Sequence, residues 1–280
     1  MPKSQFIETN GLRLHCLEWG TAEPAVMILH GNGHCGGVYA PLAENLAGDF
    51  RVVTVDLRGH GLSDKPDSYT WQELRDDILG LIEHLDLRDI LLLGHSRGGG
   101  VALLVAATAA ERVRGVIVYE PSVPRLITNP DRMLEVATRT ENRRSTFASR
   151  GEMYDHFRHR GAFKGWREEY VRAYVEHGSI DLEAGGVALA SPPRVEAQLY
   201  RALVDWTAWE GLARCDVPVR VIFGEQSGRI RDGADPAGTI REVFPSTESK
   251  ILPGCTHSGP MEQPELFEAS VRAFAASHPR

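Results

Sequence analysis

Cysteine is scarce in this sequence of 280 residues, and basic residues are not in excess. The four cysteines, Cys16, Cys35, Cys215 and Cys255, are scattered and show no paired metal-ligand spacing. This distribution favours small buried thiols in a reduced, cytoplasmic protein without a metal site. Lysine and arginine number 31 against 38 aspartates and glutamates, which gives a formal net charge of −7. We therefore expect neither nucleic acid nor an anionic membrane as a partner.

Long apolar runs are also missing. The longest, around Val101–Ala110, is rich in alanine and much shorter than the roughly 20 residues that span a bilayer. The first residues, MPKSQFIETNGLRLHCLEWG, alternate in polarity and lack the apolar segment of a signal peptide. The expectation is a protein that neither crosses a membrane nor is exported.

Apolar runs of strand length are present and recur along the chain. They lie in the segments Ala25–Leu29, Val52–Val55, DILLLGHSRGG, RGVIVYEPS, VPVRVIFGE and ESKILPG. Helical patterns separate them, at Pro41–Ala47, Trp71–Leu85, Val101–Ala110, Pro236–Phe244 and Pro264–Ala276. Buried strands that alternate with helices predict an α/β fold with a mainly parallel, twisted β-sheet flanked by helices. An Asn-Gly between Gln5–Glu8 and Leu12–Glu18 predicts an N-terminal hairpin at the antiparallel edge.

One long segment interrupts this alternation. Residues 122–212 contain no convincing buried strand and are rich in arginine, glutamate and aromatic residues. A disordered linker would lack so many aromatic side chains. We predict an inserted helical cap over 122–212, and a core formed by residues 1–121 and 213–280.

Ser96 lies at the junction of a predicted strand and a predicted helix. The segment Gly94-His95-Ser96-Arg97-Gly98 fits G-x-S-x-G and stands where a buried strand turns directly into a helix. Such a turn holds a nucleophilic serine in a strained conformation above the sheet. The adjacent helix N-terminus supplies unpaired N–H groups that suit a developing oxyanion. We therefore predict that Ser96 is a nucleophile.

Four motifs occur in a fixed order along the chain: HGNG, DLRGHGLSD, GHSRGG and GCTHSGPMEQPELF. With this order the sequence resembles the α/β-hydrolase family over nearly its whole length, and 122–212 occupies the position of that family's cap. The resemblance implies that the backbone N–H groups of Asn32 and Arg97 form an oxyanion hole. His30 is expected to shape this loop through a hydrogen bond. The Arg97 side chain is expected to pair with an acidic neighbour rather than with a substrate carboxylate.

His257 is the predicted general base. It follows the last predicted strand, on a loop at the carboxyl end of the sheet, and the order serine before histidine fits the fold. Among 11 histidines only this one matches the late loop of the family. Three residues of DLRGHGLSD, Asp56, Arg58 and Asp64, are expected to stabilise their loop and to take no catalytic part.

The acid behind His257 is the open assignment. The family most often places it after the strand that follows the cap, but that position here is Ser227. Some members carry it at the end of the strand before the cap, which is Glu120 in this sequence. A glutamate at the end of a buried strand is costly unless it is paired. We predict Glu120, with Glu225 and Asp232 as the alternatives.

The expected function is hydrolysis of a carboxylic ester or a related acyl substrate through an acyl-enzyme on Ser96. No cofactor and no metal is expected, and the partner is a small acyl molecule. C–C bond hydrolysis and cofactor-free perhydrolysis use the same groups and stay open as alternatives. A ligand receptor with little turnover is a further hypothesis. The sequence leaves the substrate and the oligomeric state undetermined.

Overall fold

The computed structural model describes residues 1–123, 126, 129–228 and 237–279. The strands in these ranges are β1 (Lys3–Thr9), β2 (Leu12–Trp19), β3 (Ala25–Leu29), β4 (Arg51–Val55), β5 (Ile90–His95), β6 (Val113–Tyr119), β7 (Thr146–Phe147), β8 (Ser179–Asp181), β9 (Val187–Leu189), β10 (Val219–Gly224) and β11 (Thr247–Leu252). The helices are α1 (Ala40–Leu46), α2 (Trp71–His84), α3 (Arg97–Thr108), α4 (Pro130–Glu141), α5 (Arg150–Phe157), α6 (Glu168–His177), α7 (Pro193–Arg201), α8 (Gly238–Val243), α9 (Gly259–Glu262) and α10 (Pro264–Ser277).

Eight of these strands form one sheet in the order β1-β2-β4-β3-β5-β6-β10-β11. The pairs from β4 to β11 are parallel, whereas β1 and β2 pair antiparallel at one edge. Asn10 and Gly11, with φ angles of 50° and 74°, form the tight turn of the hairpin. The predicted α/β fold, with a mainly parallel sheet between helices, is confirmed.

The central strands are buried on both faces, as their continuous apolar sequences predict. All side chains of β3 and β5 are buried, and so is α3 from Arg97 to Ala106. Two apolar clusters lie on the two sides of the sheet. This packing makes the sheet a rigid support for the loops at its ends.

Helix α3 begins at Arg97, four residues before the predicted start at Val101. Three consecutive glycines, Gly98 to Gly100, look like a turn in the sequence but form the first turns of the helix. Glycine weakens a helix, yet here close contact with the neighbouring strands favours it. The helix predicted at Pro236–Phe244 is observed from Gly238, and Pro236 itself lies outside the described residues.

The cap segment, residues 122–212, contains helices α4 to α7 but is not purely helical. The strands β7, β9 and β8 form a small antiparallel sheet within it. Each has only two or three residues, too few for a strand periodicity to appear in the sequence. The structure thus adds three short, partly buried strands to a segment in which the sequence shows no convincing buried strand.

Aromatic side chains of the cap segment pack on one another and on the sheet. Phe157, Phe163, Trp166, Tyr170 and Tyr174 belong to the same apolar cluster as residues of β3, β5 and β10. The ring centres of Phe163 and Trp166 are 4.5 Å apart, and those of Phe163 and Tyr174 are 4.6 Å apart. Aromatic packing therefore joins the cap segment to the sheet in one apolar cluster.

The four cysteines are buried and carry free thiols. Among the described helices, none has the length and apolar character required to cross a membrane.

Candidate active site

The loops that carry chemical groups all follow strands at one edge of the sheet. Strands β3, β5, β6, β10 and β11 are neighbours in the parallel part of the sheet and end at the same side. The HGNG loop, Ser96 and Glu120 follow the first three of these strands directly, and His257 comes five residues after β11. The carboxyl edge of a parallel sheet is where α/β proteins place their ligand sites.

Ser96 occupies a strained turn between β5 and α3, with φ 52° and ψ −115°. Residues other than glycine rarely adopt a positive φ, and such strain persists only where the surroundings enforce it. Here the Ser96 N–H donates to the Tyr119 carbonyl at 2.9 Å, and its carbonyl accepts from Ser122 N at 2.8 Å. The end of β6 therefore fixes the Ser96 backbone from both sides.

Glycines make this turn possible by close approach. A Cβ atom on Gly98 would lie 2.1 Å from the Leu29 carbonyl oxygen, and one on Gly94 would lie 2.4 Å from Gly99 Cα. Both distances are shorter than any contact that a side chain tolerates. The two glycines of G-x-S-x-G are thus required by packing between β3, β5 and α3.

The HGNG loop lies against Ser96. A Cβ atom on Gly31 would stand 3.3 Å from Ser96 Cβ, which places Asn32 at the rim of the serine turn. The Gly98 N–H donates to the His30 carbonyl at 3.1 Å and joins this loop to α3. The structure thus brings together the loops of Asn32 and Arg97, the two residues predicted to donate to an oxyanion.

Two neutral histidines shape the HGNG loop. His30 Nε2 accepts from Leu57 N at 3.0 Å, and its Nδ1 donates to the Gly31 carbonyl at 2.7 Å. His60 Nε2 accepts from Gly33 N at 3.1 Å. Burial lowers the pKa of both imidazoles, most strongly that of His60. The structural hydrogen bonding predicted for His30 is confirmed.

The Asn32 side chain adds a polar group to the site. Its Nδ2 and Oδ1 atoms are both buried and have no hydrogen-bond partner among the described residues. A buried amide without a partner is costly, because it has lost its water without replacement. This side chain is therefore available to a bound molecule.

The contacts of the Arg97 side chain differ from those that the sequence predicts. The guanidinium is buried, donates to the Leu199 carbonyl, and lies with its Cζ 5.0 Å from the centre of the Trp71 ring. It forms no ion pair with a carboxylate of the described residues, so the predicted acidic neighbour is not found. Burial lowers the pKa of this arginine to about 9. The Leu199 carbonyl and the Trp71 ring take the place of the carboxylate, and the carbonyl joins Arg97 to the cap segment.

Glu120 is the carboxylate that the structure places beside His257. Its side chain is fully buried, and its backbone has a φ of 48°, a second strained residue beside that of Ser96. Oε1 accepts from Gly224 N at 2.9 Å, and Oε2 lies 3.5 Å from His257 Nδ1. The distance permits an ion pair when the imidazole is protonated.

Of the two alternatives to Glu120, the structure describes Glu225. Glu225 is exposed and accepts a hydrogen bond from Gly254 N at 2.8 Å. Asp232 lies outside the described residues. Ser227, at the position where the family most often has its acid, donates its backbone N–H to the Gly224 carbonyl at 3.0 Å.

The His257 loop is held by two residues to which the sequence assigned no role. The Tyr119 hydroxyl donates to the Thr256 carbonyl at 2.6 Å, and His95 Nε2 donates to the His257 carbonyl at 2.8 Å. The Ser258 hydroxyl donates to the Ala162 carbonyl of the cap segment at 3.3 Å. The His257 side chain itself remains 45% exposed. The backbone around His257 is thus anchored while its ring stays accessible.

A cavity of about 270 Å³ opens beside the HGNG loop. Asn32, Gly33 and His34 line one side, and side chains of the cap segment line the other. Burial lowers the pKa of His34 to about 3, so this imidazole is neutral. Such a cavity is large enough for a small organic molecule beside the HGNG loop, which itself lies against the Ser96 turn.

Asp56, Arg58 and Asp64 support the loop after β4, as predicted. Asp56 accepts from Gly36 N at 2.7 Å and Leu62 N at 2.9 Å, and Arg58 Nε donates to Asp77 at 2.6 Å. Asp64 accepts from Arg13 N at 2.9 Å. The described residues contain no group of three histidine, cysteine or carboxylate side chains arranged as metal ligands.

Fold and site together define an α/β-hydrolase. The sequence profile of the Alpha/beta hydrolase family matches residues 26–270. The chain belongs to this family and is a hydrolase of that class.

Relatives match over almost the full length. A non-heme chloroperoxidase of Streptomyces lividans is 30% identical over 281 residues, which cover 96% of this chain and 98% of the relative. A 2-(acetamidomethylene)succinate hydrolase of Mesorhizobium japonicum is 28% identical and covers 97% and 94% of the two chains. The crystal structure of an E-2-(acetamidomethylene)succinate hydrolase superimposes with a TM-score of 0.82 at 25% identity, over 98% and 99%.

Proposed function

We propose that this protein hydrolyses a carboxylic ester or a related acyl substrate through an acyl-enzyme on Ser96. The observation that carries the proposal is the contact of 3.5 Å between the buried Glu120 carboxylate and His257 Nδ1. It supplies a fixed carboxylate for an accessible imidazole at the edge of the sheet where the half-buried Ser96 stands on its turn. This is the arrangement that activates a serine hydroxyl.

In the first half of the reaction, Ser96 Oγ attacks the carbonyl carbon of the substrate. His257 Nε2 takes the hydroxyl proton, and Glu120 stabilises the imidazolium through Nδ1. The carbonyl oxygen becomes an oxyanion that the N–H groups of Asn32 and Arg97 stabilise. Each such donor contributes about 3 kcal/mol at the transition state.

The intermediate then collapses and the leaving alcohol departs with the proton of His257. In the second half, His257 takes a proton from water, whose oxygen attacks the acyl carbon. Collapse of this second intermediate releases the carboxylic acid and returns the proton to Ser96. The cycle consumes one ester and one water, and it requires no redox group.

The proposal is tested with a panel of p-nitrophenyl esters of increasing acyl length, together with lactones and diketones. We expect saturable hydrolysis of at least one ester, a burst of p-nitrophenol equal to the enzyme concentration where deacylation is slow, and loss of both in Ser96→Ala. A ligand receptor would bind members of the panel without turnover, and that result would overturn the proposal.

A second candidate is perhydrolysis, favoured by the 30% identity with the non-heme chloroperoxidase over nearly both chains. In this reaction hydrogen peroxide replaces water and attacks the acyl-enzyme, which releases a peracid and free Ser96. The peracid then oxidises a halide in solution. The attack of hydrogen peroxide on the acyl-enzyme needs no further group of the chain, because His257 takes a proton from hydrogen peroxide as it takes one from water.

Perhydrolysis is measured by bromination of monochlorodimedone in acetate buffer with hydrogen peroxide and bromide. Activity that depends on acetate and on Ser96 would establish this second reaction. Ester hydrolysis without any bromination would leave hydrolysis as the only reaction of the acyl-enzyme.

A further inference from the structure

The wall that the cap segment contributes to the cavity is unusually rich in positive charge. Three arginines line it, Arg139, Arg143 and Arg160, whereas Glu196 is the one carboxylate among its described lining residues. The chain as a whole is acidic, with a formal net charge of −7. This cavity therefore has a mainly positive lining in a protein whose net charge is negative.

The charge of one of these arginines is already paired with a carboxylate. Arg143 lies with its Nη2 2.5 Å from Glu196 Oε2, and both side chains are largely buried. Burial opposes the charge of Arg143, but Tyr174 and Glu196 outweigh it and raise the pKa of this arginine. The pair is thus a structural ion pair that fixes the inner wall next to Gly33.

The other two arginines have no carboxylate partner in the described part of the chain. Arg139, in the last turn of α4, forms no ion pair with any described residue. Arg160, which follows α5, has its guanidinium Nη1 2.8 Å from His156 Nδ1. Burial, and then the charges of Arg160 and Arg144, lower the pKa of His156, so the imidazole accepts this hydrogen bond in its neutral form. Two positive charges at the cavity mouth therefore remain without a counter-charge among the described residues.

The opposite wall bears polar groups that also lack partners. The Asn32 amide and His34 Nδ1 are buried and have no hydrogen-bond partner in the described part of the chain. The cavity therefore presents neutral polar groups on the wall formed by the HGNG loop and cationic groups on the wall formed by the cap segment. A ligand that satisfies both has a polar acyl group at one end and a negative charge at the other.

We propose that Arg139 and Arg160 form an anion subsite for a carboxylate on the acyl part of the substrate. This inference rests on the proposed acyl transfer at Ser96 and names its substrate class: half-esters of dicarboxylic acids. The planar guanidinium binds a carboxylate with two parallel hydrogen bonds, which orients the acyl chain as well as attracting it. A cleft with uncompensated charge also concentrates anions before they bind.

The direct test is calorimetric titration of the Ser96→Ala protein, which binds ligand without turnover. The ligands are the monomethyl esters of the straight-chain dicarboxylic acids from succinate to suberate, and their dimethyl esters serve as neutral matches. We expect the monoester to bind at least about fivefold more tightly than its diester at one chain length. This preference decreases with added salt, because both arginines are exposed.

Variants then locate the subsite. Arg139→Gln and Arg160→Gln, each in the Ser96→Ala background, are expected to reduce the preference for the monoester, and the double variant to abolish it. Arg132→Gln is the matched control, because Arg132 lies on the same helix, is exposed, and does not line the cavity. We expect this control to keep the full preference. Both variants change exposed side chains, and thermal melting confirms that they fold.

Two outcomes overturn the subsite: equal binding of monoesters and diesters at every length, or a preference that survives in the double variant. The outcome for acyl transfer is separate. Hydrolysis of neutral p-nitrophenyl esters without a carboxylate preference would refute the subsite and leave the proposed function intact. A carboxylate preference in a protein that hydrolyses no ester would refute the proposed function and leave the subsite intact.

Discussion

At the carboxyl ends of the strands, Ser96 and Glu120 occupy turns with φ angles of 52° and 48°, fixed by backbone hydrogen bonds to neighbouring strands. In the cap segment, by contrast, Arg139 and Arg160 stand near the ends of helices and are exposed. The strand ends store strain and allow little movement. The cap wall contributes long, adaptable side chains to the same cavity.

This difference separates two tasks. Groups that transfer protons must keep their geometry within fractions of an ångström, so they lie on rigid elements. Groups that select a substrate need only present charge and shape, and loops or helix ends suffice. Changes at the strand ends should therefore lower the turnover of every substrate by a similar factor. Changes in the cap wall should alter the ratio between substrates.

The largest effect is expected for Ser96→Ala. Removal of the nucleophile should lower kcat/KM by about 10⁴-fold or more for charged and neutral esters alike. Steady-state hydrolysis of p-nitrophenyl esters measures it. Ser227→Ala, in the loop after β10, is the matched control and should keep activity within a few fold. Substantial hydrolysis by Ser96→Ala would place the nucleophile elsewhere.

The second largest effect is expected for Glu120→Gln. The amide cannot stabilise the His257 imidazolium, so kcat should fall by about 10³-fold while circular dichroism shows a native fold. Because the acid acts on the proton transfer, the factor should be equal for half-esters and neutral esters. Glu225→Gln should keep most of the activity, since this carboxylate is exposed and hydrogen-bonds to Gly254 N. The reverse pattern would show that Glu225 is the acid.

A smaller effect is expected for Tyr119→Phe. Loss of the hydroxyl leaves the Thr256 carbonyl with the longer hydrogen bond from Gly259 N at 3.3 Å and loosens the His257 loop, at a stability cost of about 1–3 kcal/mol. We expect kcat to fall by about tenfold, because about 1.4 kcal/mol of added activation free energy slows a reaction tenfold, and we expect KM to change little. Tyr39→Phe is the control, because the buried Tyr39 hydroxyl has no partner among the described residues. Equal effects of the two variants would contradict a positioning role for Tyr119.

The smallest effect concerns pH. Burial holds the pKa of His60 well below its ordinary value, and its Nε2 must be neutral to accept from Gly33 N. The folded state therefore binds fewer protons than the unfolded state below about pH 6.5. The contribution of His60 to stability is complete above that pH and is lost as the pH falls toward the folded pKa.

Urea unfolding between about pH 7.5 and about pH 5 measures this loss. His60→Gln should reduce the pH dependence of the free energy of unfolding by at most about 1.4 kcal/mol per pH unit. His159→Gln, an exposed histidine of the cap segment, should leave the dependence as it is. An unchanged slope in His60→Gln would mean that His60 is not held neutral by the fold.

Much of the strand-end chemistry can be predicted from the sequence, because each group lies within a short motif beside a buried strand. Glu120 is recognisable since a carboxylate directly after an apolar run needs a partner. Tyr119 and His95 are not, because their roles depend on contacts with the loop of His257, more than a hundred residues away in the chain.

The cap segment resists prediction for another physical reason. Its cavity combines Arg139 of α4, Arg143 and Arg160 from the segments after α4 and α5, and Glu196 of α7, and no short motif links them. The three short strands β7 to β9 carry too few residues for a periodic signal. Arg97 shows a related limit: its guanidinium contacts a backbone carbonyl and an indole ring in place of the expected carboxylate.

A fluorophosphonate probe followed by intact mass measurement tests directly whether Ser96 is an activated nucleophile. We expect a single adduct on the wild-type protein, assigned to Ser96 by peptide mapping, absent from Ser96→Ala and slow to form on Glu120→Gln. No adduct on the folded wild-type protein, or an adduct that persists in Ser96→Ala, would show that Ser96 is not the activated nucleophile.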